Sequence, residues 1–182
     1  TLVECSLIVL QLEVPLETVY AAIEFGNKHN IPVLLNPAPA IPELDIEYAC
    51  RCDFFVPNET ELEILVNKPV ETLTQIKEAA TILLNKGLNN IIVTMGSKGA
   101  LWLSHDGKEV FIEPTKVNAV DTSGAGDAFI GCFSHYFIQT RDIKKSLEKA
   151  SLFAAFSVTE KGTQFSYPSI EQFEEFETKN SK

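Results

Sequence analysis

The 182 residues are 45% hydrophobic, enough to bury one sizeable core, and a chain of this length is expected to form one domain rather than two. Acidic residues outnumber basic ones 25 to 15, a formal net charge of −10 with no basic cluster to track a phosphate backbone, which argues against nucleic acid as a partner. No apolar stretch approaches the roughly 20 residues of a membrane-spanning helix and no charged region precedes a signal-like core, so the expectation is a cytoplasmic protein with no membrane partner.

Short apolar runs alternate with longer amphipathic stretches, without internal repeats or low-complexity tracts, and that alternation predicts an α/β fold. Residues 7–12 form a near-continuous apolar run of strand length, and residues 16–29 place Val19 and Ile23 at helical spacing. A second strand, 31–35, breaks at Asn36-Pro37-Ala38-Pro39-Ala40, where each proline removes a backbone donor. Residues 54–56 form a short strand stopped by Pro57, and Asn58-Glu59-Thr60-Glu61 opens a helix with a capping residue and carboxylates in its first turn. A helix over 76–86 ends near Gly87, and a strand over 90–94 leads into Gly96-Ser97-Lys98-Gly99. Strands 100–104 and 110–113 flank His105-Asp106-Gly107-Lys108, whose Asp-Gly step signals a hairpin, so an antiparallel pair joins the parallel units. After Asp121, Gly124 and Gly126 open an apolar helix to about Thr140, and helices over 142–159 and 169–178 follow.

Four polar loops thus follow four strands. In open α/β sheets ligands bind outside the carboxyl ends of strands, so these loops are expected to converge on one site. The most informative is Asp121-Thr122-Ser123-Gly124-Ala125-Gly126-Asp127. Its small residues leave the backbone bare, and N–H groups at a helix start can cradle an anion with the help of the helix dipole. An aspartate beside such an anion is costly unless its charge has a task, and Asp127 is placed to accept a proton from an attacking hydroxyl. The same residues suit a structural role in which Gly-Ala-Gly permits close helix packing and Asp127 improves the helix start. The motif alone leaves both open. The four cysteines lack zinc-ligand spacing and read as reduced thiols, and His29, His105 and His135 are too scattered to share a metal. Phe129, Phe133, Tyr136 and Phe137 fall at helical spacings and describe a core face.

The run D-T-S-G-A-G-D-A-F-I-G from Asp121 to Gly131 resembles the carboxyl-terminal signature of the ribokinase family of carbohydrate kinases. Gln11-Leu12-Glu13, Asn36-Pro37-Ala38-Pro39-Ala40, Pro57-Asn58-Glu59-Thr60-Glu61, Val93-Thr94-Met95-Gly96-Ser97-Lys98-Gly99 and Lys161-Gly162 occur in that family's order and approximate spacing, and the N-P-A-P-A loop points to its ribokinase branch rather than to fructokinases or adenosine kinases. The resemblance spans essentially the whole chain. It implies a mostly parallel sheet flanked by helices in three α/β/α layers with an antiparallel hairpin, as a single α/β domain over 1–182 forming the carboxyl-terminal nucleotide-binding and catalytic portion. It also implies ATP-dependent phosphorylation of a pentose, ribose first, at O5, with Mg²⁺ and K⁺ as cofactors, and leaves a homodimer open for the complete enzyme.

Residue by residue, the resemblance implies that Asp127 is the catalytic base and a substrate contact, and that N–H groups around Gly124, Ala125 and Gly126 form the hole for the transferred phosphoryl group. Asp121 matches a sugar-binding or monovalent-cation position, and Glu13 resembles a residue near the sugar, although a carboxylate at a strand end is as readily plain surface charge. Asn58 and Glu61 match an Asn-x-x-Glu motif that organises Mg²⁺ through water near the nucleotide. A helix cap accounts for Asn58 but leaves Glu61 unexplained. Thr94, Met95, Gly96, Ser97, Lys98 and Gly99 resemble the loop that accepts the nucleotide, Gly126 joins them, and Ser151 falls where the family contacts adenine. Lys98 itself is expected to be solvated and without a catalytic role. Ser123, Ser157, Glu160, Gly162 and Ser166, with Asp121, match positions whose oxygens surround an activating potassium ion.

The chain begins at Thr1 and its one methionine is Met95, so it is expected to be a fragment or a trimmed chain. The family's amino-terminal strands, its Gly-Gly-Lys-Gly-type sugar loop and its small β lid are absent from these residues, which predicts an exposed hydrophobic edge at the first strand. Three readings remain: a kinase given in part, acting on ribose or on another sugar or nucleoside; a nucleotide-binding module without catalysis; and a structural remnant that pairs its edge with another chain.

Overall fold

Val33, Leu34 and Leu35 are all fully buried, as expected for a strand covered on both faces, and they lie next to the edge of a six-stranded sheet. In the computed structural model, which describes residues 2–180, the strands are β1 (Ile8–Leu10), β2 (Val33–Leu35), β3 (Phe54–Phe55), β4 (Asn90–Thr94), β5 (Ala100–Ser104) and β6 (Glu109–Ile112), side by side in chain order. The first four pair in parallel, with Ile8 opposite Val33, Leu34 opposite Phe54 and Phe55 opposite Ile91. A tight turn closed by the Ser104 N–H on the Lys108 carbonyl (3.0 Å) folds β6 back along β5, the expected hairpin. The chain divides into two units, Thr1–Met95 with Leu101–Phe111, and Gly96–Ala100 with Ile112–Lys182.

In the first unit α1 (Leu16–His29) buries Val19, Ile23 and Gly26 on one face. Gly26 is required there: a Cβ would lie 2.4 Å from Val33 Cγ2, so α1 packs on β2 with nothing between them. A short helix, α2 (Ile46–Ala49), which the sequence reading missed, is started by Asp45, whose side chain accepts from the Glu47 N–H. After α3 (Glu59–Val66), α4 (Leu73–Asn85) begins earlier than the expected residue 76, because Thr72 and Gln75 form a capping box that supplies an extra first turn. Strand β1 is shorter than the 7–12 expected and lies at the sheet's edge with Val9 exposed, in line with the expected hydrophobic edge.

In the second unit α5 (Ala125–Thr140) and α6 (Ile143–Ser157) are joined by Arg141, in the left-handed conformation, and Asp142, which caps α6 through the Lys145 N–H. The apolar face anticipated for α5 is buried at Phe129, Phe133 and Phe137, whereas Tyr136 is only half-buried, beneath the Lys149 ammonium. The last helix, α7 (Ile170–Asn180), buries Phe173 against Phe153 of α6 at 5.2 Å between ring centres and is pinned by a Lys149–Glu177 ion pair.

Candidate active site

In the first unit, the carboxyl ends of three strands meet on one buried amide. The Asn36 N–H donates to the Leu10 carbonyl (2.9 Å), its side-chain amide donates to the Val56 carbonyl (2.7 Å) and its side-chain oxygen accepts from Gln11 (3.2 Å). Asn36 therefore ties the ends of β1, β2 and β3 and holds the proline loop behind it, with the Leu12 N–H on the Ala38 carbonyl (2.9 Å). Glu13 follows in an exposed bend.

Asn58 bridges to Thr94 across β3 and β4 and caps α3. Its side-chain oxygen accepts from the Glu61 N–H, while the two Glu61 carboxylate oxygens accept from the Asn58 backbone N–H and side-chain amide, each contact at 2.8 Å. The expectation that a helix cap leaves Glu61 unexplained is thus overturned, because Glu61 completes a capping box. Burial pushes the Glu61 carboxyl above its usual range, against the two bonds from Asn58 that draw it down. The folded protein therefore holds this proton more tightly than the unfolded chain. Its contribution to stability is complete below the ordinary glutamate range and is lost as pH rises through the raised value. The Glu61→Gln variant should lack that loss when urea midpoints are compared across the mildly acidic range, and Asn58→Ala should cost about 1 kcal/mol. Thr94 is half-buried, and Met95 is buried with its side chain in the core.

In the second unit, Gly96, Ser97 and Lys98 form an exposed 3-10 turn, and Gly99 lies against the backbone of Ile112. Asp121 is held on both sides: one carboxylate oxygen accepts from the Ser123 N–H and the other from the Gly162 N–H, both at 3.0 Å, and these bonds keep its carboxyl below the usual range. The Val158 carbonyl accepts from the Val120 N–H (2.7 Å) and the Asp121 N–H (3.2 Å), which brings the end of α6 to the same place. Asp121, Ser123, Ser157 and Gly162 are thereby gathered. Ser157 and Ser166 are buried, their hydroxyls donating to the Ala154 carbonyl (2.9 Å) and the Thr163 carbonyl (2.6 Å), while Glu160 is exposed and Ser151 half-buried on α6.

Gly124 stands at the N-cap of α5 with φ of 75°, and no side chain caps this end; the Ala125 N–H makes a long bond to the Thr122 carbonyl (3.3 Å). A Cβ at Gly124 would meet the Tyr167 hydroxyl at 3.2 Å and Thr163 at 3.3 Å, whereas a Cβ at Gly126 would meet nothing within 4 Å. Close packing accounts for the first glycine and not the second. Gly126 leaves free space at the helix start, next to the exposed Asp127 in the first turn. Tyr167 and Thr163 were not among the sequence candidates. Burial and the negative charge of Asp127 push the Tyr167 hydroxyl above its ordinary value, which places the two side chains within electrostatic reach.

The expected metal positions carry oxygen donors only, the class suited to hard cations, and the hydroxyl oxygens of Ser157 and Ser166 keep lone pairs while donating their protons. Among the described residues no three His, Cys, Asp or Glu side chains cluster as a metal site. The chain fits a loosely held oxygen-bound ion better than a transition metal.

The pfkB family carbohydrate kinase pattern matches residues 2–170. The chain belongs to the pfkB family of carbohydrate kinases. It is 69% identical over 173 residues to a deoxyribokinase of Salmonella typhi, covering 95% of this chain and 56% of that protein. It is 42% identical over 169 residues to a ribokinase of Schizosaccharomyces pombe, covering 91% of this chain and 53% of the relative. The structure of Arabidopsis thaliana ribokinase complexed with ribose and ATP matches with a TM-score of 0.90 at 27% identity, over 96% of this chain and 56% of that one. The three-layer α/β ribokinase-like fold expected from the motifs is therefore present. This member of the pfkB family spans about half the length of the curated relatives it matches. Among its described residues no helix is long and apolar enough to cross a membrane.

Proposed function

We propose that the protein carrying this chain transfers the γ-phosphoryl group of ATP to O5 of a pentose. The observation that carries this reading is the start of α5, where an uncapped helix end, a glycine with empty space beside it and an aspartate follow one another. The N–H groups of Gly124, Ala125 and Gly126 donate to the phosphoryl oxygens as charge builds on them, and Asp127 takes the proton from the attacking hydroxyl. Ala125 makes only a long bond to the Thr122 carbonyl (3.3 Å), which a phosphoryl oxygen can replace. Asn58 and Glu61 orient water toward the nucleotide, where Mg²⁺ would neutralise phosphate charge. Oxygens of Asp121, Ser123, Ser157, Glu160, Gly162 and Ser166 would hold K⁺, which would supply positive charge beside the turn that opens α5. Asp121 and Glu13 are assigned to the sugar side, Gly96–Lys98, Gly99, Thr94 and Met95 to the nucleotide, and Ser151 to its base.

Ribose was the acceptor expected from the motifs, and the 69% identity to a deoxyribokinase, against 42% to a ribokinase, sets 2-deoxyribose beside it. The two differ by one hydroxyl, and a site built to bond that hydroxyl would discriminate strongly between them. Release of ADP with ribose and with 2-deoxyribose as acceptors, and phosphorus NMR of the product, decide the matter. A 5-phosphate from either sugar supports the reading; nucleotide binding with no product from any pentose overturns it in favour of a binding module. The rate should be several-fold higher in potassium than in tetramethylammonium salt at equal ionic strength, and equal rates would remove the cation assignment.

A further inference from the structure

Tyr167 follows the 3-10 turn Gln164–Ser166, and its ring packs on Phe153 of α6 at 5.9 Å between centres, while Phe153 in turn packs on Phe173 of α7. From this helical base its hydroxyl reaches the turn that opens α5 and donates to the Gly124 carbonyl at 3.2 Å, across 43 residues of sequence. The same carbonyl accepts the Ala128 N–H at 2.9 Å, so it is held from two directions. A peptide group is planar, so fixing the Gly124 carbonyl fixes the Ala125 N–H, which lies in the same plane and points the opposite way, where its contact with the Thr122 carbonyl is long (3.3 Å) and open to replacement by a phosphoryl oxygen. We infer that Tyr167 is a positioning residue for phosphoryl transfer, aiming the Ala125 N–H at the phosphoryl group through its hydrogen bond to the Gly124 carbonyl.

The inference rests on the kinase reading and adds a residue to it. Side-chain burial explains the tyrosine ring, since a ring of that size fills the space beside Phe153 whether or not it carries a hydroxyl. The hydroxyl lies 3.2 Å from the place a Gly124 Cβ would occupy, so the glycine and the tyrosine fit one another. A donor aimed before the reaction needs no reorganisation when charge develops, whereas a peptide free to rock loses part of that advantage.

Tyr167→Phe keeps the ring and removes only the hydroxyl. In the protein carrying this chain kcat is expected to fall roughly 3- to 10-fold, less than the loss of a whole oxyanion donor, with KM for both substrates and the melting temperature unchanged. Amide exchange at residues 124–127 should quicken at the same time. Tyr167→Leu, which also removes the ring, should add a loss of melting temperature. Unaltered kcat in Tyr167→Phe, or a fall matched by lower melting temperature and higher KM for both substrates, overturns the inference while leaving the kinase reading intact. A wild-type protein that phosphorylates no pentose overturns both, and the parallel wild-type assay tells the two failures apart.

Discussion

Replacing Asp127 by Asn is expected to lower pentose phosphorylation by about 10²–10⁴-fold, because the variant keeps shape and hydrogen-bonding reach but has no proton acceptor. Asp127 is exposed in the first turn of α5, directly after Gly126, and so stands where a hydroxyl approaching an anion held by the helix start would arrive. A side chain serving only the helix start predicts a different outcome. Asn replaces Asp there at a cost of roughly 1 kcal/mol or less, and turnover would stay near normal. Turnover, nucleotide affinity and melting temperature measured together separate the two, since the catalytic role moves only the first. Near-normal turnover in a folded Asp127→Asn protein would remove it from the mechanism.

The second large effect is on stability. Gly99 has φ of 99°, and a Cβ there would lie 2.1 Å from the Ile112 carbonyl oxygen, a backbone atom that cannot swing aside. Gly99→Ala should therefore cost roughly 3–5 kcal/mol, combining left-handed strain with overpacking. Gly96, three residues earlier, has φ of 52° and open space around it, so Gly96→Ala should cost only about 1–2 kcal/mol. Urea unfolding of the two variants tests the contrast, and equal costs would show that the approach to Ile112 yields easily. Nucleotide affinity should respond in the reverse order, because Gly96 leaves space for a ligand and the space beside Gly99 is filled by the protein itself.

Most elements were legible because their signals are local. The proline loop after β2, the Asp-Gly turn between β5 and β6 and the helical spacing of Val19 and Ile23 are all read within a few residues. The start of α4 was missed because the Thr72–Gln75 box lies outside its apolar period, and α2 because four residues carry no period at all. Strand β1 is shorter than its apolar run because the run marks hydrophobicity and not the reach of a ladder.

By itself the sequence determined the order of strands and helices, the glycine-rich opening of α5 and the placing of Asp127 just inside it, since periodicity, capping and chain-breaking residues act over one or two turns. Only the tertiary structure decided which glycine answers to packing and which to open space, that Asn36 ties three strand ends, and that Tyr167 holds the Gly124 carbonyl. The physical reason lies in the range of the interactions. Whereas the residues of the Asn58–Glu61 capping box lie three apart, a spacing written in the sequence, these contacts join atoms tens of residues apart. A hydrogen-bond partner or a filled space at that distance is fixed by the packing of helices and sheet, and leaves no spacing in the chain from which it can be read.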